Sequence, residues 1–375
     1  MFSNKLIYRF YYNWWKNINK SVLFLIIVLF GLGLFFSLVS TSLIASDKLN
    51  TNSYYFFFKH FLYIGIGIIF IIFFSSLNNS DLIKVSQVLF FLCLVFLILV
   101  PFIGVEIKGS KRWIKFLFLP RFQPIEILKP FLIVIIAYVL SYENKKNIYY
   151  KYFLSFLIIL PIILLLVTQP DIGQSLLIFL TYLSLIFVSG INLIIFFIFF
   201  SLILLSLILM IFFFPNKFGY IVIRLKSFFD LSSGNNYQSD KASEAIINGG
   251  FFGKGIGEGT LKNRIPEAHT DYIVSVISEE FGVLFIIFLM IIFLIFIYQI
   301  FKKLYSENSN QTKLILVGSI SIILLQALIH VGVNIRLFPT TGMTLPYISY
   351  GGSSIIGTSI LSGIILNLTK RKVNF

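Results

Sequence analysis

Residues 313–368 read KLILVGSISIILLQALIHVGVNIRLFPTTGMTLPYISYGGSSIIGTSILSGIILNL. Two apolar runs in this stretch, 313–335 and 350–368, are each close to the roughly 20 residues that an α-helix needs to cross a bilayer. The segment between them contains Arg336 and several prolines and glycines. Because backbone groups inside a bilayer must be hydrogen-bonded, the runs suit transmembrane helices and the connection must be covered by protein or line a cavity.

Eight further apolar runs precede this stretch, each bounded by charged or turn residues: 21–45, 55–77, 84–105, 125–141, 150–168, 172–189, 191–214 and 281–301. The chain is 58% hydrophobic and 12% charged, against roughly 25% charged residues in soluble domains. The first run has no small-residue cleavage site, so we expect it to remain as an anchor. The sequence predicts an all-α integral membrane protein with about ten transmembrane helices and structured periplasmic loops.

The distribution of positive charge predicts the orientation. Ten spans put both termini on one side, and both termini are basic: Lys5, Arg9, Lys16, Lys20, Lys370, Arg371 and Lys372. The positive-inside rule assigns them to the cytoplasm. We therefore expect a cytoplasmic tail at 1–20, a membrane domain at 21–368 with a large periplasmic loop at about 215–280, and a second cytoplasmic tail at 369–375.

The longest periplasmic segments are also basic, with Lys108, Lys111, Arg112, Lys115 and Arg121 in one, and Lys217, Arg224, Lys226, Lys241, Lys254, Lys262 and Arg264 in the other. One explanation is that long loops are translocated regardless of charge. The other is an anionic ligand at the outer face, such as a diphosphate, which arginine and lysine bind well.

Four polar segments interrupt the apolar pattern on this face: 105–130, 168–173, 215–280 and 330–354. Convergence of broken segments is how membrane proteins build a site for an amphiphilic ligand. Trp113 fits either such a cavity or the aromatic belt at the membrane interface. Asp171 is expected to cap the following helix, with a polar contact to the outer loops as the alternative.

The third segment contains glycines at 249, 250, 253, 255, 257 and 259, followed by Pro266, Glu267, His269 and Asp271. No strand precedes the glycines, so we expect tight turns or close approach to a ligand and not a nucleotide loop. Pro266 predicts the first turn of a helix, with Glu267 and Asp271 on one face. Glu267 is explained by helix-terminus electrostatics, whereas Asp271 is costly at that depth unless it has a function.

Metal and redox chemistry have little support in the sequence. The single Cys93 lies in an apolar run, so no disulfide framework is possible, and the three histidines are scattered. No closed metal site is predicted.

Four groups of motifs carry a family resemblance: GSKRWI (109–114) with FQPIEILK (122–129), TQPDIG (168–173), GGFFGKGIGEG with IPEAHTD and SEEFG (249–282), and LPYISYGGSS (345–354). In order and spacing they resemble the RodA/FtsW (SEDS) family over essentially the whole chain. PEAHTD together with FPTTGMTLPYISYGGSS is more similar to the division members (FtsW) than to the elongation members (RodA). The departures are GSKRWI in place of the commoner GARRWI, and Arg336 where a smaller residue is common.

The resemblance implies ten membrane helices with cytoplasmic termini, in agreement with the count of apolar runs. It implies a peptidoglycan glycosyltransferase of the inner membrane that polymerises lipid II at the periplasmic face, with inversion, during septal wall synthesis. The implied partners are a class B penicillin-binding protein transpeptidase and other divisome membrane proteins. No nucleic-acid partner is expected.

The resemblance also implies roles for residues. Asp271 matches the essential aspartate of the family's HTD motif and is expected to be the base that accepts the proton of the attacking hydroxyl. Arg112, with Lys111 and Lys262, is expected to hold the diphosphate leaving group, and Trp113 to pack on sugar or lipid.

Three neighbours of Asp271, namely Glu267, His269 and Thr270, are expected to shape the pocket around it. A divalent cation, Mg²⁺ or Mn²⁺, is an optional assistant to the diphosphate.

Three alternatives stay open. A RodA-like elongation polymerase shares the chemistry. A lipid II flippase would show paired broken helices in two related halves, and no clear internal repeat is present. A division scaffold that recruits the transpeptidase would not need an acid such as Asp271 at the membrane surface.

Overall fold

The computed structural model describes residues 12–41, 54–107, 109–115, 120–142, 149–229 and 237–370. The basic residues Lys5, Arg9, Lys108, Arg371 and Lys372 lie outside these ranges. In chain order the principal helices are Lys20–Phe36 (α1), Tyr55–Ser76 (α2), Asn79–Ile103 (α3), Pro124–Leu140 (α4), Tyr150–Thr168 (α5), Ile172–Val188 (α6), Leu193–Phe213 (α7), Pro215–Phe229 (α8), Tyr237–Gly249 (α9), Ile273–Phe281 (α10), Val283–Tyr305 (α11), Asn310–Asn334 (α12) and Gly352–Leu368 (α13). A π-helical turn, Ser37–Thr41, continues α1, and a 3₁₀ turn spans Leu261–Arg264.

Each of the ten predicted spans coincides with one of these helices, while α8, α9 and α10 belong to the polar segment before α11. Within the described part of the chain, seven helices are long and apolar enough to cross a membrane, and α6 and α13 are apolar at 17 residues each. The prediction of an all-α integral membrane protein is confirmed, with one small addition. Strands Val105–Ile107 (β1) and Ser110–Trp113 (β2) form an antiparallel hairpin between α3 and α4.

Helices α4 and α13 form the centre of the bundle, since most of their residues are buried. Small residues let the helix backbones approach closely, as expected where lipid gives no hydrophobic drive for association. At Gly357 of α13, an added Cβ would overlap the carbonyl oxygen of Glu126 in α4. At Gly67 of α2, an added Cβ would overlap the side-chain hydroxyl of Ser359 in α13.

The described residues of the connections 104–123, 169–171, 214–282 and 335–351 gather at one end of the bundle, here called the loop end. The glycine-rich part, 249–259, packs there against α10 and its C-terminus. Added Cβ atoms at Gly249 and Gly253 would overlap the carbonyl oxygens of Ser278 and Glu280, and the Glu279 carboxylate accepts the backbone N–H groups of Thr260 and Leu261 at 2.9 and 2.8 Å. Gly249 and Gly253 therefore serve close backbone packing, and none of the glycines in 249–259 lines the cavity described below.

Candidate functional site

A cavity of about 350 Å³ opens at the loop end. Its walls come from the β1–β2 hairpin and the start of α4, from α8 and α9, from the turn before α10, and from residues 333–354. Three of the four interrupted segments thus contribute lining side chains. The fourth, 168–173, is bound to the cavity wall by Arg112. The predicted convergence of the four segments is confirmed for the residues that the structure describes.

Arg112 joins the hairpin to the connection between α5 and α6. Its Nε donates to the Gln169 carbonyl at 3.3 Å, its Nη2 donates to the Pro170 carbonyl, and its Nη1 lies 3.7 Å from Asp171 Oδ1. Asp171 is buried and also accepts a hydrogen bond from Gln123 Nε2 at 2.7 Å. Burial raises the pKa of Asp171, and the charge of Arg112 opposes that shift. These contacts hold the guanidinium group of Arg112 at the cavity wall.

Asp171 occupies the N-cap position of α6, as predicted, and a hydrogen bond with the Gln174 backbone in the first turn of that helix opposes the rise in the pKa of its carboxyl group. A carboxylate this deeply buried needs a counter-charge, and Arg112 provides it. The alternative interpretation, a polar contact to the outer loops, is also present in the structure, through Arg112 and Gln123.

Asp271 lies in a turn and not, as predicted, one turn into a helix. Helix α10 begins only at Ile273, and Glu267 has a left-handed backbone with φ of 56°. The N–H groups of Thr270, Asp271 and Tyr272 all donate to the Glu267 carbonyl oxygen, at 3.1, 3.1 and 3.3 Å. Glu267 and Asp271 therefore line the same cavity without sharing a helix face.

This turn is fixed to the segment that precedes α13. The Tyr350 backbone N–H donates to the His269 carbonyl at 3.0 Å, and Ser349 Oγ donates to the Thr270 carbonyl at 2.7 Å. The His269 ring packs 5.2 Å from the ring of Phe56 and 5.8 Å from that of Tyr350. His269 thus supports the turn from outside the cavity, whereas Thr270 lines it.

Gly342 borders a small part of the cavity that is in reach of both the Asp271 and the Arg112 side chains. Its φ is 69°, and a Cβ built on it would lie 3.6 Å from Asp271 Oδ2 and 3.8 Å from Arg112 Nη1. The predicted base and the predicted cation therefore border the same part of the cavity.

Arg224 is a second lining cation, and the sequence did not single it out as a site residue. It lies on α8, its Nη1 donates to the Thr340 carbonyl at 3.3 Å, and its guanidinium group lies 5.9 Å from the Tyr220 ring centre. Burial lowers the pKa of Arg224, and the charge of Arg112 lowers it further. Two like charges near one cavity favour an anionic ligand between them. The strong amphipathic pattern of PNKFGYIVIRLKSFF (215–229) is the signal that could have identified α8 as a cavity wall.

A buried ion pair on α4 was also missed. Lys129 Nζ lies 2.8 Å from Glu126 Oε2, and both side chains are about 5% exposed. Gln174 of α6 donates to Glu126, and Lys129 donates to Gln326 of α12 at 3.1 Å. Glu126 also lines the cavity. The pair ties three helices together directly below the site.

The remaining predicted site residues differ in position. Trp113 lines the cavity beside Arg112. Lys111, its neighbour on β2, is exposed and pairs across the hairpin with Glu106, so this geometry does not support its predicted contact with the substrate. The side chain of Lys262 lies outside the described part of the structure.

Carboxylates at the cavity are spread out and not clustered. Among the described residues, no group of three or more His, Cys, Asp or Glu side chains is arranged to hold a metal ion. A metal ion bound to a diphosphate in the cavity could be coordinated by the carboxylate oxygens of individual lining residues, namely Asp271, Glu267 and Glu126. The divalent cation stays a prediction.

Sequence comparison identifies relatives along almost the whole chain. The model of the FtsW/RodA/SpoVE family, described as "Cell cycle protein", matches residues 20–374. A protein of Coxiella burnetii is 33% identical over 92% of this chain and 94% of its own length, and one of Caulobacter vibrioides is 29% identical over 96% and 91%. Both carry the name "Probable peptidoglycan glycosyltransferase FtsW".

Solved structures with the same fold are also found. A chain from a study entitled "Structural coordination of polymerization and crosslinking by a peptidoglycan synthase complex" superposes with a TM-score of 0.75 at 24% identity, over 94% of this chain and 97% of that one. The rod shape determining protein RodA of Thermus thermophilus gives 0.67 at 23% identity, over 94% and 96%. At these identities the likeness bears on the fold.

Proposed function

Because the chain belongs to the FtsW/RodA/SpoVE family, we propose that it is a peptidoglycan glycosyltransferase that polymerises lipid II at the periplasmic face of the inner membrane during septal wall synthesis. The observation that carries the proposal is one cavity at the loop end that is lined by an acid, Asp271, and two cations, Arg112 and Arg224. The names of the relatives agree with this activity. The proposed orientation has the loop end in the periplasm and both termini in the cytoplasm.

The reaction needs a base and a positively charged site for the leaving group. The 4-hydroxyl oxygen of the acceptor sugar attacks the anomeric carbon of the donor, the bond from that carbon to the diphosphate breaks, and the electron pair leaves with the undecaprenyl diphosphate. Asp271 accepts the hydroxyl proton. Arg112 and Arg224 stabilise the charge that develops on the diphosphate. Attack from the face opposite the leaving group inverts the anomeric carbon.

The other lining residues position the substrate. Trp113 offers an aromatic face to a sugar or lipid, while Glu267 and Thr270 form the wall next to Asp271. Thr270 Oγ1 donates to Glu267 Oε2 at 3.2 Å, which fixes the carboxylate of Glu267 within the turn. His269 contributes through packing of the turn.

We further propose a class B penicillin-binding protein transpeptidase and other divisome membrane proteins as partners. A structural neighbour that comes from a peptidoglycan synthase complex supports a partner of this kind. A fluorescent fusion to the protein is expected to form a band at midcell. Patches along the side wall would instead support the RodA-like role in elongation.

The test of the activity is polymerisation of labelled lipid II by the purified full-length protein together with its transpeptidase, with glycan length measured on a gel. Glycan ladders are expected. Intact protein that forms no glycan, but moves labelled lipid II between the leaflets of vesicles, would replace the proposal with the flippase. Protein that does neither and still binds the transpeptidase would indicate the scaffold.

Gly342→Ala is expected to lower kcat/KM for lipid II by about 10-fold, because the new methyl group adds left-handed backbone strain and enters the volume between Asp271 and Arg112. Gly190→Ala is the matched control, since Gly190 also has a positive φ, 82°, but an added Cβ there meets nothing within 4 Å. Equal activity of the two variants in the polymerisation assay would contradict the prediction.

A further inference from the structure

Asn334, the last residue of α12, is completely buried, and its side-chain amide makes four hydrogen bonds. Nδ2 donates to the Asp271 carbonyl at 3.1 Å and to the His330 carbonyl at 2.8 Å. Oδ1 accepts from the Ser275 backbone N–H at 3.1 Å and from Ser275 Oγ at 2.7 Å. Both donors and both acceptor sites of the amide are used, so the group has a single orientation.

These bonds connect α12 to the start of α10. The first N–H groups of a helix have no partner within the helix, and Tyr272, at the N-cap position of α10, makes no side-chain capping bond. Asn334 adds an acceptor from a different helix, because the Ser275 N–H donates both to the Tyr272 carbonyl and to Asn334 Oδ1, each at 3.1 Å. The same amide holds the carbonyl of Asp271, two residues before α10 begins.

The residues of the turn are held from two directions. The carbonyls of His269 and Thr270 are bound by the segment before α13, whereas the carbonyl of Asp271 is bound by α12. Of these contacts, the one from Asn334 reaches the residue whose carboxylate is the proposed base. It also comes from a helix whose neighbouring residue, Val333, lines the same cavity.

We propose that Asn334 is a positioning residue, which holds the backbone of Asp271 so that its carboxylate meets the attacking hydroxyl. The inference rests on the proposed function, because it assumes that Asp271 is the base. Displacement of a reacting group by about 1 Å costs on the order of 100-fold in rate. Asn334 itself does not touch the substrate.

The test compares Asn334→Leu with Asn367→Leu in the lipid II polymerisation assay. Asn367 is the matched control, because it is also buried at the end of a transmembrane helix and donates to the carbonyls of Phe74 and Leu77, but at the end of the bundle opposite the cavity. Asn334→Leu is expected to lower kcat by about 100-fold with little change in KM. Asn367→Leu is expected to lower the thermal midpoint similarly and to keep kcat.

Asn334→Asp covers the case in which the leucine variant does not fold. A carboxyl group at 334 still accepts from Ser275, but it has at most one proton for the carbonyls of Asp271 and His330. We expect kcat to fall by about 10-fold, as for the loss of one hydrogen bond. A folded Asn334 variant with wild-type kcat, or with a loss no greater than that of Asn367→Leu, would overturn the inference. Failure of the wild-type protein to polymerise, or full activity of Asp271→Asn, would instead remove the proposed function on which it rests.

Discussion

Asp271→Asn is expected to lower the rate of lipid II polymerisation by about 100- to 10,000-fold, because asparagine keeps the size of aspartate and cannot accept the hydroxyl proton. The carbonyl of Asp271 stays bound to Asn334 in this variant, since only the side chain changes. The turn therefore keeps its place. Binding of lipid II is expected to change little, because the proposed contacts to the diphosphate are those of Arg112 and Arg224.

The matched control is Asp81→Asn, which makes the same chemical change in the first turn of α3, at the opposite end of the bundle. Both variants are purified with the transpeptidase and compared with wild type for initial rate and glycan length. Asp81→Asn is expected to polymerise at the wild-type rate. Glycan formation by a folded Asp271→Asn protein at the rate of Asp81→Asn would exclude Asp271 as the base.

The spans, the family and the convergence at the loop end could all be predicted from the sequence. A run of about 20 apolar residues is stable in a bilayer as an α-helix, because the helix satisfies its own backbone hydrogen bonds. Each such run forms a helix here. The motifs predicted the family, and the match over 20–374 confirms it. Asp271 could be singled out for a similar reason, since a carboxylate at the membrane surface is costly unless it is used.

Predictions from short sequence patterns were incomplete where contacts with distant segments determine the local structure. Pro266 suggested a helix, but the turn is stabilised by the convergence of three N–H groups on the Glu267 carbonyl and by contacts to Ser349 and Tyr350, about 80 residues later. Asp171 stands at the N-cap of α6, as its place in the sequence suggested, but its counter-charge, Arg112, comes from the distant hairpin.

Asn334 and Lys129 were not identified for the same reason. Each has partners elsewhere in the fold: Ser275 in α10 and Asp271 in the preceding turn for the amide, and Gln326 in α12 for the ammonium group. A single polar residue in an apolar run indicates that some partner exists. Apart from Glu126, which lies three residues before Lys129 on the same helix, the identity of the partner depends on packing that no local pattern specifies.

Lys129→Met is expected to lower the free energy of unfolding by about 3–5 kcal/mol, because it removes the partner of a carboxylate that is about 5% exposed. Glu126 would then keep the hydrogen bond from Gln174 and lose its counter-charge. The double variant Glu126→Gln/Lys129→Met removes both charges and is expected to recover most of the loss, since replacing a buried pair entirely is often neutral. The measurement is thermal and denaturant unfolding of the detergent-solubilised protein.

Lys241→Met is the matched control for this pair. Lys241 and Glu244 have the same spacing of three residues and a contact of 2.6 Å, but they lie on the surface of α9 with side chains 22% and 49% exposed. Surface pairs contribute about 0–1 kcal/mol, so the control isolates the effect of burial. Equal stability of the two lysine variants would contradict the prediction. Glu126 lines the cavity, so the polymerisation activity of the double variant is also informative. Recovery of stability without recovery of polymerisation would assign the ion pair to the reaction. Recovery of both would assign the pair to folding alone.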